Sequence, residues 1–308
     1  MQRLLSFLGP LAFLLLLVYI GYDQSAKPVA ASEMEQESLQ VEESERPVVA
    51  VTYDVPKEAA FAGEQVPLNL PDVYERFDKE LQINVYLHSS TLFLLKRANR
   101  WLPRMQEILK ENNIPDDFKY LPLIESGLLN VTSPKDAVGH WQILEASGKE
   151  LGLEITKEVD ERYDPIKSTQ AACKYLKKAH DKLGDWTLAA ASYNRGMAGM
   201  KNELEDQREK NYYDLHLNDE TSRYVFRLLA IKEIAEHPEK YGFKLKPEHL
   251  YQPEDLKYVE VNESIKDLVA FAQSNGTNYK LLKRYNPWLR QNKLTVKKGK
   301  TYRIALPA

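Results

Sequence analysis

Glu125 is the residue on which a chemistry can first be argued. It lies in Tyr120-Leu121-Pro122-Leu123-Ile124-Glu125-Ser126-Gly127, a short apolar stretch ended by glycine. A carboxyl group set among apolar side chains loses hydration, which penalises its charged form and raises its pKa. A carboxylic acid that stays protonated towards neutral pH can give its proton to a glycosidic oxygen. Ser126 places a hydroxyl nearby that could orient the acid. Taken alone the segment decides little, because a glutamate beside a helix end is more often solvated or a cap.

Later segments add to it in order. Ser133-Pro134-Lys135-Asp136-Ala137-Val138-Gly139-His140-Trp141-Gln142 is a turn-rich loop, and Asp160-Glu161-Arg162-Tyr163-Asp164-Pro165 precedes a helix opened by Ser168-Thr169. Ser192-Tyr193-Asn194-Arg195-Gly196 and Glu220-Thr221 with Tyr224-Val225 follow. With these motifs the chain resembles the lytic transglycosylases of the soluble lytic transglycosylase type (glycoside hydrolase family 23), most closely the membrane-bound lytic transglycosylase D group. The resemblance runs from about Tyr74 to Glu236, and the ordered set is far more specific than any one motif. It implies a goose-lysozyme-like helical fold with the glycan in a groove, and it maps the catalytic glutamate onto Glu125. It further implies that Ser126, Ser133, Gln142, Tyr193, Asn194, Glu220 and Tyr224 bind substrate and that Tyr193 lies close to the catalytic carboxyl. Asn194 and Gly196 also shape the turn behind Tyr193. Trp141 receives no ligand role.

Two positions depart from the family pattern. Asp136 stands where glycine is usual; aspartate tolerates unusual turn conformations, and it brings a second carboxylate into the loop. His140 stands where leucine is usual, and a solvent-facing position is expected for it.

The implied reaction explains why one carboxyl suffices. Ordinary glycosidases use two, one as acid and one as nucleophile or base. Here the muramyl C6 hydroxyl of the substrate attacks the anomeric carbon and closes a 1,6-anhydro ring. Because that nucleophile is already bound, much of the entropic cost of an encounter disappears. No metal or other cofactor is expected. A water-adding muramidase that uses Asp136, and a catalytically silent peptidoglycan-binding protein, remain the alternatives.

The elements that must position these residues read as helices from residue 72 to 246. Asp72 suits a helix N-cap, and Pro103 suits the first turn of another helix. After residue 250 the texture changes. Tyr258-Val259-Glu260-Val261 and Thr301-Tyr302-Arg303-Ile304-Ala305-Leu306 alternate like strands. Between them lie two helical stretches, the first with Ile265, Leu268, Val269 and Ala272 inward. Residues 251–308 thus form a small α+β module that resembles a diverged LysM domain, either glycan-binding or serving only to pack. The fold class is mainly α, with this module at the C-terminal end.

Net charge is −3 and the pI about 6.1, which argues against a nucleic-acid partner. Tyrosines number 18 against four tryptophans and nine phenylalanines, a bias that suits polar ligands such as sugars. The single Cys173 can form no internal disulfide and reads as a small buried residue. Leu4 to Ile20 is almost wholly apolar and follows Arg3, so residues 1–22 read as a signal-anchor or a signal peptide that inserts in or passes through the inner membrane. Residues 23–71, rich in glutamate from Glu33 to Glu45, read as an acidic flexible linker. The folded part is therefore expected in the periplasm or cell envelope, with peptidoglycan glycan strands as its partner.

Overall fold

The structure, a computed structural model, describes residues 50–308, and its compact unit runs Val51–Ala308. The apolar run from Leu4 and the glutamates from Glu33 to Glu45 lie outside the described residues. Among the described residues no helix is long and apolar enough to cross a membrane.

The linker expected over residues 23–71 ends earlier than its composition suggested. β1 (Ala60–Phe61) and β2 (Glu64–Gln65) form a small antiparallel hairpin turned by Ala62 and Gly63, both at positive φ. This is the backbone that a two-residue hairpin turn demands. Phe61 is wholly buried, its ring 5.1 Å from that of Phe118, and Val55 and Val66 are buried with it. These scattered apolar residues anchor the segment to the core.

α1 (Pro71–Tyr86) begins at Pro71, so Asp72 falls in the first turn, paired with Arg76 at 3.2 Å, rather than at the N-cap. Val73, Phe77, Leu81 and Val85 recur every fourth residue and are buried as one stripe. α2 (His88–Glu111) runs without a break through Pro103, where two helices had been read. Pro103 is exposed, so the carbonyl it leaves unbonded one turn back can meet water. A 3-10 turn, Asp116–Tyr120, leads into the short α3 (Leu121–Ser126), and α4 (Glu145–Glu150) lies beyond the loop. α5 (Pro165–Leu183), α6 (Trp186–Arg195) and α8 (Asp219–Glu236) are capped by Asp164, Asp185 and Asn218, whose side chains accept backbone N–H bonds of the first turn. α7 (Met197–Gln207) follows directly on α6. α1 packs along α8, and α5 lies between α2 and α6. The resulting core includes Cys173, buried as expected.

In the C-terminal module β3 (Leu256–Val261) pairs antiparallel with β4 (Tyr302–Pro307), in register from Leu256↔Pro307 to Val261↔Tyr302. α9 (Leu268–Ser274) and α10 (Tyr279–Tyr285) bury Leu268, Ala272 and Leu282 in one cluster with Ile304 and Leu306 of β4. α9 starts at Leu268, capped by Asp267, which turns Leu268 and Ala272 inward and leaves Val269 37% exposed, against the inward position read for it. The module is stitched to the helical part. Val159 is buried in its core and bridges Leu289. Asp160 N–H donates to the Trp288 carbonyl at 2.9 Å, and Arg290 N–H donates to the Glu158 carbonyl at 2.8 Å. The Arg290 guanidinium lies 3.8 Å from the Tyr163 ring centre. The connecting segment is also held, since Tyr251 N–H donates to the Lys96 carbonyl of α2 at 3.2 Å.

Candidate active site

Glu125 is the penultimate residue of α3, whose six residues are too few to stand alone. Gly127 ends the helix in the left-handed conformation at φ 59°, and its N–H caps the Leu123 carbonyl. Arg97 of α2 holds this end from outside, its Nε donating to the Gly127 carbonyl at 2.6 Å. The Tyr224 hydroxyl of α8 donates a short hydrogen bond to Glu125 Oε1. Arg227, one turn further along α8, donates from Nη2 to the Ile124 carbonyl at 2.8 Å. Burial pushes the Glu125 carboxyl above the ordinary glutamate range; the Tyr224 hydrogen bond and the Arg227 charge pull it down, and the Glu220 charge adds to the rise.

The loop that faces this end is fixed by its own polar groups. Ser126 Oγ donates to the His140 carbonyl at 2.8 Å and also reaches the Pro122 carbonyl at 3.1 Å. Ser133 Oγ accepts from Ala137 N–H at 3.0 Å and braces a tight turn. Gln142 Nε2 donates to the Val131 and Gly139 carbonyls at 3.1 and 2.8 Å. Asp136 and Gln142 carry φ of 60° and 47°. Asp136 therefore occupies the conformation that glycine would take, its carboxylate exposed and without a hydrogen bond among the described residues. Behind the loop, Arg162 and Asp160 form a buried pair at 2.7 Å, and Arg162 Nη1 also reaches the Asp136 and Ile143 carbonyls. Gly139 is forced: a Cβ there would stand 2.1 Å from the Arg162 carbonyl oxygen.

From α6, Tyr193 Oη donates to the Trp141 carbonyl at 2.7 Å. The nearby Glu125 charge adds to the burial that keeps its phenol protonated. Trp141 is fully buried and bonds Thr169 Oγ1 at 2.8 Å, so it packs and does not face a ligand. Asn194 ties α6 to α8, donating to Glu220 Oε1 at 3.0 Å and accepting from Thr221 Oγ1 at 2.8 Å.

The fold thus gathers Glu125, Ser126, Gln142, Tyr193, Asn194, Glu220 and Tyr224 around α3 and the ends of α6 and α8, with Ser133 in the loop opposite. Their work differs from a uniform sugar-binding set. Tyr224 is 1% exposed, so it has no surface for a sugar and instead holds the acid. Ser126 spends its hydroxyl on the loop rather than on Glu125. His140 is 2% exposed, not solvent-facing: its ring packs 4.9 Å from that of Trp101, and burial lowers its pKa to about 4. Arg227 and Arg97 went unread. Arg227 follows Glu220 and Tyr224 at i+7 and i+3, a helical spacing that shares one face and that would have marked it.

A family model described as the transglycosylase SLT domain matches residues 105–216, and one described as the soluble lytic transglycosylase C-terminal LysM-like domain matches residues 257–308. Membrane-bound lytic murein transglycosylase D of Escherichia coli K12 is 31% identical over 195 residues, covering 60% of this chain and 42% of that protein. Its counterpart in strain O6:H1 gives the same values. A putative tributyltin chloride resistance protein of an Alteromonas species is 33% identical over 114 residues, 36% of this chain and 55% of that protein. The chain thus spans less than half the length of the E. coli relatives. The mainly helical architecture is that of a lysozyme-like SLT domain, with a small two-stranded module after it. The chain carries a transglycosylase SLT domain followed by a LysM-like domain of the soluble lytic transglycosylase C-terminal kind.

Proposed function

We propose that this chain is a peptidoglycan lytic transglycosylase that cuts the β-1,4 bond from N-acetylmuramic acid to N-acetylglucosamine, with Glu125 as its acid and then its base. The observation that carries the reading is the Glu125 carboxyl, whose burial raises its pKa above the ordinary glutamate range and which the Tyr224 hydroxyl holds in one orientation. In the first step the C1–O4 bond breaks and the leaving oxygen takes the Glu125 proton. In the second the muramyl C6 oxygen bonds to C1, and its proton passes to the Glu125 carboxylate. The acid is restored and the product ends in a 1,6-anhydro ring.

Ser133, Gln142, Asn194 and Glu220 stand at the edge of this site, and we assign them to the sugar subsites. Glu220 is exposed, with one carboxylate oxygen oriented by Asn194. The names of the relatives and the apolar run after Arg3 support work in the periplasm or cell envelope, with residues 1–22 as signal or inner-membrane anchor. Digestion of purified glycan with product mass analysis tests the reading. Anhydro ends lighter by one water, with no label taken from heavy water, are expected; labelled reducing ends that vanish in Asp136→Asn would establish the muramidase instead.

A further inference from the structure

A cleft separates the helical part from the C-terminal module, and neither module forms it alone. One cavity of about 440 Å³ is continuous in its lining with a second of about 420 Å³, the two sharing Arg104, Asp164, Ile166, Tyr258, Trp288 and Arg303. Together they have the size of a site for a few peptide residues. The lining is unlike the rest of this net-negative chain. Arg97, Arg100, Arg104, Arg284 and Arg303 face two carboxylates, Glu254 and Asp164. Glu254 already serves both Arg100, at 3.7 Å, and Arg284. Asp164 accepts the N–H groups of Ile166 and Lys167 at the start of α5. Arg104 pairs with Glu107 outside this cavity. Arg97 and Arg303 have no carboxylate partner among the described residues; Arg303 lies over the Tyr258 ring at 4.6 Å. The buried His140 also lines the cavity, and its Nδ1 has no hydrogen-bond partner.

Guanidinium forks match carboxylates in geometry and charge, and the aromatic walls accept aliphatic stems. The ligand chemistry is a short peptide with more than one free carboxylate. Leu128, in the cleft wall, follows Glu125 by three residues, so their Cα atoms are at most about 11 Å apart. An extended peptide of about three or four residues covers a span of that length. Resting on the proposed function, we propose that this inter-module cleft binds the acidic peptide side chains of peptidoglycan and so selects peptide-bearing strands.

The test titrates the intact chain with the peptide released from peptidoglycan by an amidase, with the same peptide amidated at its carboxylates, and with an unrelated L-peptide of equal charge. Binding of the first, about tenfold or more weaker binding of the other two, and a similar loss in the Arg104→Gln/Arg303→Gln double variant are expected. Both arginines are exposed, so the fold should survive. The double variant should keep wild-type kcat on peptide-free glycan and lose only the lower KM on peptide-bearing strands. Equal binding of free and amidated peptide, equal binding of the L-peptide, or an unchanged KM ratio would overturn the proposal. Titration needs no turnover. Binding by a wild type that never cuts glycan would sink the catalytic reading alone, and turnover without binding would sink this one alone.

Discussion

At the scale of single residues the proposed reaction depends on one proton. Glu125→Gln keeps the shape and removes the titrating group, so turnover should fall by about a hundred- to ten-thousand-fold or more. A normal melting curve would show the loss to be chemical. The pH dependence has a definite sign. The first step uses the protonated acid, so the rate should decline as pH rises through the elevated pKa of Glu125. The Tyr224 bond favours the carboxylate; Tyr224→Phe should therefore raise that pKa further and move the alkaline limb of kcat/KM to higher pH. A limb that moves down would contradict the assignment. Stability follows the same linkage. A carboxyl whose folded pKa exceeds its unfolded value contributes fully below the unfolded value and loses that contribution as pH rises through the folded one. Glu125→Gln should thus melt higher than wild type above the ordinary glutamate range and equally below it.

At the scale of elements, two contacts hold the framework in which Glu125 sits. Glu64 of β2 accepts from Trp186 N–H, Thr187 N–H and Thr187 Oγ1 at 2.7–2.8 Å, and so clasps the start of α6. Glu64→Ala should cost about 1–2 kcal/mol in chemical denaturation, the scale of a lost cap with a charged acceptor. Gly139→Ala should cost more, about 2–4 kcal/mol, since it drives a Cβ into backbone at positive φ. How much was legible follows from range. Helices α5, α6 and α8 declare themselves by local period and caps, and the segment around Glu125 by its place in an ordered set of motifs. The hold of Tyr224 on Glu125 spans 99 residues, and no local pattern records which hydroxyl faces which acid. His140 was misread for a similar reason: the Trp101 ring that covers it comes from α2. Residues 51–70 looked like linker because two-residue strands leave almost no periodic trace.

At the scale of the whole molecule, the C-terminal module is part of the structure and not a hanging appendage. Glu158 reaches Thr295 N–H at 2.7 Å, and Tyr302 Oη reaches the Glu154 carboxylate at 3.0 Å. A chain ending at Leu250 would uncover Val159 and break the Asp160 to Trp288 bond. It should melt lower than the full chain, and the full chain should show one calorimetric transition. Two well-separated transitions would refute that coupling.

The seating of Val159 under Leu289 also orders events in time. The two residues lie 130 positions apart, yet Val159 belongs to a loop between α4 and α5, within the segment that matches the SLT domain. Chains fold from the N-terminus as they emerge, and long-range closures come late. During synthesis this loop must wait, half-dressed, until β4 arrives to complete the sheet beside it. Pairing of β4 with β3 therefore marks the moment at which this loop is covered. Stalled chains that end before residue 302 should be digested by protease at the 151–164 segment, and full-length chains should not.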